Sequence, residues 1–442
     1  MTQLSIKNRV VKNASWIIVC RVIQSLLALI VSVFVARYLG PTNYGLLNYA
    51  ASIIAFVLPL TQLGLSNVLV QELTNNPEEE GKILGTSILL DLFASIFGIV
   101  GVVSFVLVSD FGNGVTILVC SLYSLTLVFQ AFELMQYWYQ SKLISKYMAI
   151  ISLVSYVLVS GYKFFLLWTH KSVTWFAISY SLDYALIGIA LIVVYFKLGG
   201  KHLSFSSNIA KRMFSKSKHY ILSSMMIVVY AQIDKIMLKF YINETATGIY
   251  SAAVVTAGLS SFVFSAIVDS ARPVIFENKK NQEEAKYKKG VVLCYSIIFY
   301  LALAQCLCMT LLSNLIIYVL YGNDFVASSN VLKVVVWYTT FAYLGLVRNI
   351  WILAEGKQKY LWIVNLTGAF LNIVLNALLI PSLGIIGAAV ASLITQFFAN
   401  VVIGFIIKPL RDNNILMLQA LNPLIIFRFV NSVFKKKDNN VQ

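Results

Sequence analysis

Six ionised residues stand inside stretches that are otherwise apolar: Arg21, Asp91, Lys163, Asp183, Asp234 and Arg348. Arginine in such a place suits an anion, because a guanidinium grips phosphate oxygens bidentately and stays charged. A carboxylate there suits a proton or a sodium ion. Gln24, Ser25, Ala28 and Ser32 follow Arg21 at helical spacing and form one polar, small-residue stripe opposite Leu26, Ile30 and Val33. That face is expected to line protein or water. Arg21, Gln24 and Ser25, with Lys163 and Arg348 behind them, are therefore the candidates for a hydrated cavity wall that holds substrate or ion, and Asp91, Asp183 and Asp234 the candidates for cavity acids or an ion-coupling site.

Depth along each helix sharpens these expectations. Arg21 lies about 14 Å beyond Lys12 at 1.5 Å per residue, within a hydrocarbon core about 30 Å thick. Asp91 lies at the same depth beyond Lys82, so an Arg21–Asp91 ion pair across the interior is the structural alternative to a hydrated cavity wall. Asp183 is central in its stretch. Asp234 continues a stripe with Ser223, Tyr230 and Tyr241, while Lys235 beside it points about 100° away. Lys163 is close enough to one membrane face to snorkel, and Arg348 to the other. Glu133, beside Tyr137, Trp138 and Tyr139, reads as interfacial.

Other chemistries find no support. There is no G-x-x-x-x-G-K-[ST] phosphate loop and no nucleophile elbow. His170, His202 and His219 lack metal-ligand spacing, and Cys20, Cys120, Cys294, Cys306 and Cys308 all fall within apolar runs, where packing explains them. No cofactor, metal site or enzymatic activity is expected.

The elements that must position the charges are membrane helices. With 59% hydrophobic and 12% charged residues, the chain is far from the roughly 25% charged composition of soluble domains. Apolar runs give twelve spans, centred from Ala28 to Thr395. The fold class is all-α, a polytopic protein with two six-helix lobes around a central cavity. Lys7, Arg9 and Lys12 precede the first span, and alternate loops carry Lys142, Lys146, Lys201, Lys211, Arg212, Lys216, Arg272, Lys279, Lys357 and Lys359. This bias places both termini in the cytoplasm and explains the excess of basic residues without nucleic acid. Expected boundaries are 1–197 for the first lobe, 198–218 for a basic linker, 219–409 for the second lobe and 410–442 for an amphipathic, polybasic tail lying on anionic lipid.

Ala36 to Tyr49, ARYLGPTNYGLLNY, is the joint between the first two spans. Gly40 and Pro41 supply the turn, and Asn43 is expected to cap the following helix. An echo returns 203 residues later in KFYINETATGIYSAA, where Tyr38, Gly45 and Ala50 align with Tyr241, Gly248 and Ala253. A second match, KYMAIISLVSYVL from Lys146 against KYLWIVNLTGAFL from Lys359, has an offset of 213. Two related halves are suggested.

Val33 to Leu73, VFVARYLGPTNYGLLNYAASIIAFVLPLTQLGLSNVLVQEL, resembles the start of the polysaccharide (O-antigen and capsule, Wzx-type) flippases of the multidrug/oligosaccharidyl-lipid/polysaccharide exporter superfamily. Ile233 to Ala253 and Pro381 to Gln396 are similar as well. The resemblance implies an undecaprenyl-diphosphate-linked oligosaccharide carried from the cytoplasmic to the outer leaflet of a bacterial cytoplasmic membrane, through a hydrated cationic cavity. It further implies Na⁺ or H⁺ as a coupling ion, membrane lipids as surroundings, and a polymerase and glycosyltransferases of the same pathway as partners. The rival readings are a MATE-like exporter of small cations, with a pocket of acids and aromatics; a membrane glycan polymerase or ligase, which would need a substantial outer loop; and a scaffold of a glycan-assembly complex.

Overall fold

The computed structural model describes residues 3–427, with side-chain placements from Trp16 onward except at positions 17, 18, 67 and 223. It is helical, with no strand among the described residues. Membrane-length segments run in the order α1 (Gln3–Thr61), α2 (Glu80–Ser109), α3 (Gly114–Ser141, built of short α and 3₁₀ turns), α4 (Lys146–Trp168), α5 (Val173–Lys197), α6 (Ser207–Tyr241), α7 (Glu244–Lys280), α8 (Glu284–Leu311), α9 (Ser328–Ala354), α10 (Leu361–Leu383) and α11 (Ile385–Ile406). A straight α1 would be about three times longer than the hydrocarbon is thick. Gly40 breaks it at φ 69°, ψ 173°, with Pro41 opening the second limb. Divided there, the spans accommodate the expected twelve. Asn43 does not act as the expected cap. Its amide donates to the Leu39 carbonyl at 3.3 Å, so it satisfies the end of the first limb instead of starting the second.

The chain packs as two compact units, Met1–Gly248 and Ile249–Gln442. In the first, Tyr49, Leu127, Phe176 and Ala177 are fully buried between α1, α3 and α5. The basic linker is ordered more tightly than a solvated loop. Residues 198–206 run over the start of α2, where Gly81 and Gly85 have no Cβ to obstruct His202 and Ser204. The remainder of the linker is already α6. Its Arg212 and Lys216 both pair with the buried Glu72, and Lys201 pairs with Glu78 at 2.9 Å. In the second unit, Phe264 stacks on Tyr343 at 3.9 Å within a core that also holds Val291, Tyr295 and Ile352. The first part of the expected surface-lying tail is packed into this unit: in the helix Arg411–Gln419, Asn413 and Asn414 are wholly buried, accepting from the Tyr295 hydroxyl at 2.8 Å and donating to the Val401 carbonyl at 2.6 Å. The basic end, Lys435 to Lys437, lies outside the described residues.

The corner at Gly40 meets its own echo. Thr42 and Thr245 share a hydroxyl hydrogen bond of 2.8 Å. A Cβ on Gly45 would strike the Glu244 carbonyl, and a Cβ on Gly248 would strike the Pro41 carbonyl. Residues 41, 42 and 45 therefore meet residues 244, 245 and 248 reciprocally at the offset read from the sequence, which is how two-fold-related copies touch. Beside them, Lys239 forms an ion pair with the buried Asp110, which also accepts from the Tyr49 hydroxyl at 3.1 Å.

Two glycines of one corner thus serve different ends, and alanine separates them. Gly40→Ala meets nothing within 4 Å and costs only its backbone conformation, a positive φ with extended ψ that is nearly confined to glycine, about 1–3 kcal/mol. Gly45→Ala forces two backbones apart and is expected to lower the thermal unfolding midpoint of the detergent-solubilised protein by more than Gly40→Ala does. Equal shifts would show that the close approach does not hold the corner.

Candidate functional site

Four helices of the first unit each turn one face to a cavity of about 420 Å³. The first limb of α1 contributes Cys20, Arg21 and Gln24. From α3 come Glu133, Gln136 and Gln140, three and four residues apart and so on one face. From the turn into α4 and α4 itself come Ser145, Met148, Ala149 and Ser152, and α5 adds Asp183, Tyr184 and Ile187. The cavity begins beside Gln140 and Ser145, at the turn bearing Lys142 on the basic side. It extends to Ser152, about 10 Å along α4. Its volume lies within the range of about 300–1,000 Å³ common to small-molecule sites.

Local structure explains why these faces converge. Gly188 leaves room for the Phe132 side chain, so α5 approaches α3 closely and brings Asp183 and Tyr184 beside Glu133. Ser95 of α2 donates to the Leu127 carbonyl at 3.0 Å and fixes α3 from behind. On α1, the faces divide only in part: Leu26 and Ile30 are about half exposed on the outside of the unit, but Ser25 of the polar stripe is exposed too, while Val33 is half-buried.

The lining holds one guanidinium, two carboxylates and three primary amides. It is therefore a polar chamber of mixed charge within the first unit. Asp183 Oδ1 is buried without a hydrogen-bond partner. Asp183 is coupled electrostatically to Glu133 within the cavity and to Lys163 behind it. Such a site can take hydrogen-bond donors on its acidic edge and acceptors or an anion at Arg21.

Of the candidates read from the sequence, Arg21, Gln24 and Asp183 meet in this cavity. Ser25 is exposed on α1 and does not line it. Asp91 and Arg21 form no ion pair. Asp91 is buried, accepts from Ser95 at 3.3 Å, and keeps Oδ2 without a partner. Lys163 does not snorkel. It is 7% exposed, with its ammonium 4.1 Å from the Tyr180 ring, which in turn stacks on Tyr123. Arg348 likewise stays inside, in the second unit, donating to the Ala399 carbonyl at the π-turn Phe398–Val402 and to Asn349. Asp234 is buried on α6, next to Lys235, which donates to Gln232 at 3.1 Å. The sequence reading missed Glu133, Gln136 and Gln140 as a cavity face. Their spacing was the available signal, masked by the aromatic triplet beside them.

With this geometry in place, comparison with known proteins assigns the family. Residues 10–279 match the family described as polysaccharide biosynthesis protein. The capsular polysaccharide biosynthesis protein CapF of Staphylococcus aureus is 22% identical over 396 residues, covering 88% of this chain and 97% of that protein. A putative O-antigen transporter of Shigella flexneri is 21% identical, covering 86% of this chain and 94% of its own length. Among solved structures, the lipid II flippase MurJ in an inward closed conformation superposes with a TM-score of 0.70 at 16% identity, covering 93% of this chain and 92% of that one. An inward-facing MATE-family multidrug transporter gives 0.66 at 14% identity, covering 90% and 96%. The chain belongs to the polysaccharide biosynthesis protein family and is a multi-pass membrane protein with the helical fold of the multidrug/oligosaccharidyl-lipid/polysaccharide transporters.

Proposed function

We infer that the protein is a flippase for a lipid-linked oligosaccharide, an undecaprenyl-diphosphate glycan repeat unit, in the assembly of a bacterial surface polysaccharide. The observation that carries this reading is the meeting of Arg21, Gln24 and Asp183 with Glu133, Gln136 and Gln140 in one cavity inside membrane helices, in a chain of this family. A diphosphate and its sugars cannot cross hydrocarbon unaided, since an unpaired buried ion costs many kcal/mol. A wet cavity with a guanidinium lowers that barrier while the polyprenyl tail stays in lipid.

In this reading the headgroup enters from the cytoplasmic side, next to Gln140 and Ser145, and the diphosphate pairs with Arg21. Lys163 and Arg348, engaged with Tyr180 and Ala399, rank behind it. Two six-helix lobes, residues 1–197 and 219–409, then alternate access in the cytoplasmic membrane with both termini inside. Na⁺ or H⁺ at Asp183 or Asp234 is the proposed coupling, and the glycosyltransferases and polymerase of the pathway are the proposed partners. The one feature that favours a small-cation exporter instead is the pair Glu133 and Asp183.

Three measurements bear on this. In proteoliposomes carrying an undecaprenyl-diphosphate disaccharide, Arg21→Gln at equal incorporation is expected to slow headgroup translocation about 10- to 100-fold, the value of a charge-assisted hydrogen bond of about 1.5–3 kcal/mol. Arg21→Lys should recover part of the rate, and an unchanged rate for Arg21→Gln removes that residue from the mechanism. Cationic dyes should not be extruded; their extrusion would favour the exporter. In a Cys308→Ser background, Ser172→Cys is expected to react with an impermeant maleimide in intact cells and Ser207→Cys only after permeabilisation. The opposite pattern would invert the orientation.

A further inference from the structure

The mixed charge of the cavity divides it by chemistry. An ionised diphosphate is an acceptor only, so Arg21 and the amide N–H groups can serve it while a carboxylate repels it. Sugar hydroxyls both donate and accept, and planar carboxylates and amides answer both needs. Arg21 and Gln24 stand on α1, whereas Glu133, Gln136 and Gln140 stand on α3 and Asp183 and Tyr184 on α5. The acids are not equivalent. Lys163, held against the Tyr180 ring, is near enough to attract Asp183, although the two form no ion pair. Glu133 has no ion-pair partner among the described residues, and Asp183 adds a like charge beside it. Asp183 Oδ1, buried and without a partner, shows that this edge lacks a donor that a ligand could bring.

We propose that Glu133, flanked by Gln136 and Gln140, is the sugar-reading edge of the cavity: it takes hydroxyl or amine donors from neutral or amino sugars and excludes uronic acids from that position. A sugar carboxylate placed there would face Glu133 in a desolvated wall, where like charges are strongly disfavoured. The same contact costs a hydroxymethyl group nothing. This inference rests on the flippase reading and adds to it which glycans are carried.

The test uses the full-length protein in detergent at pH 8.5, which keeps the Glu133 carboxyl ionised, and two short-chain probes, citronellyl-diphosphate disaccharides whose terminal sugar is glucose in one and glucuronate in the other. The glucuronate probe is expected to bind at least about tenfold more weakly. Glu133→Gln should narrow that gap to about threefold or less by strengthening binding of the glucuronate probe, with the glucose probe little changed. Glu133→Asp should preserve the gap, which a merely structural role for the side chain would not predict. Equal binding of the two probes by the unaltered protein, or a gap that Glu133→Gln leaves in place, would overturn the proposal. Failure of both probes to bind would instead count against the flippase reading itself.

Discussion

An ionised side chain inside a membrane must find water, a counter-charge or a hydrogen-bonding partner, and that requirement organises this molecule. The buried charges meet it in different ways and not all completely, since Asp91 and Asp183 each keep one carboxylate oxygen without a partner. Arg21, Glu133 and Asp183 share a cavity. Lys163 rests on the face of Tyr180, Lys239 is paired with Asp110, and Arg348 is tied to a carbonyl at a π-turn, where the helix has a backbone group to offer. The cavity exists because four helices each place a polar face toward the same axis, and it stays open because filling it with protein would strand those groups.

A second constraint acts through the backbone. Gly45 and Gly248 permit an approach that no larger residue allows, and the reciprocity of the contact ties it to an internal repeat. Small residues drive such approaches in membranes, where packing and hydrogen bonds replace the hydrophobic effect between helices. The hydroxyl pair Thr42 and Thr245 adds a directional bond at the same place. The corner is thus closely packed for a reason visible in its composition.

Much of this was legible in the sequence, and the limits are instructive. The all-helical membrane fold, the corner at Gly40 and the shared face of Arg21 and Gln24 follow from one-dimensional patterns of hydropathy and spacing. What failed needed the lateral arrangement of helices. Equal depth suggested an Arg21–Asp91 pair, yet depth says nothing about which helices are neighbours, and Asp91 turns to Ser95. Closeness to a membrane face suggested snorkelling for Lys163, whereas the aromatic ring that holds it stands on another helix. Glu133 was assigned to the interface because of Tyr137, Trp138 and Tyr139, but Trp138 and Tyr139 point into the core, the latter donating to the Leu191 carbonyl at 2.7 Å. Asn43, in capping position by sequence, serves the helix before it because Pro41 already suits the start of the next.

The two halves differ in charge at positions that the internal repeat aligns. At the offset of 213 that relates Lys146 to Lys359, Lys163 corresponds to Asn376 and Asp183 to Gln396. These amides stay within the second unit: Asn376 is wholly buried and donates to the Asn372 carbonyl at 2.9 Å, and Gln396 accepts from Asn400 at 2.8 Å. An amide can satisfy its own hydrogen bonds inside a packed bundle, where a lone charge cannot. Replacing the charged pair of the first half by amides in the second removes the need for a hydrated wall and allows the helices to pack together. If the halves arose by duplication, the polar positions were retained in both and the charges in only one.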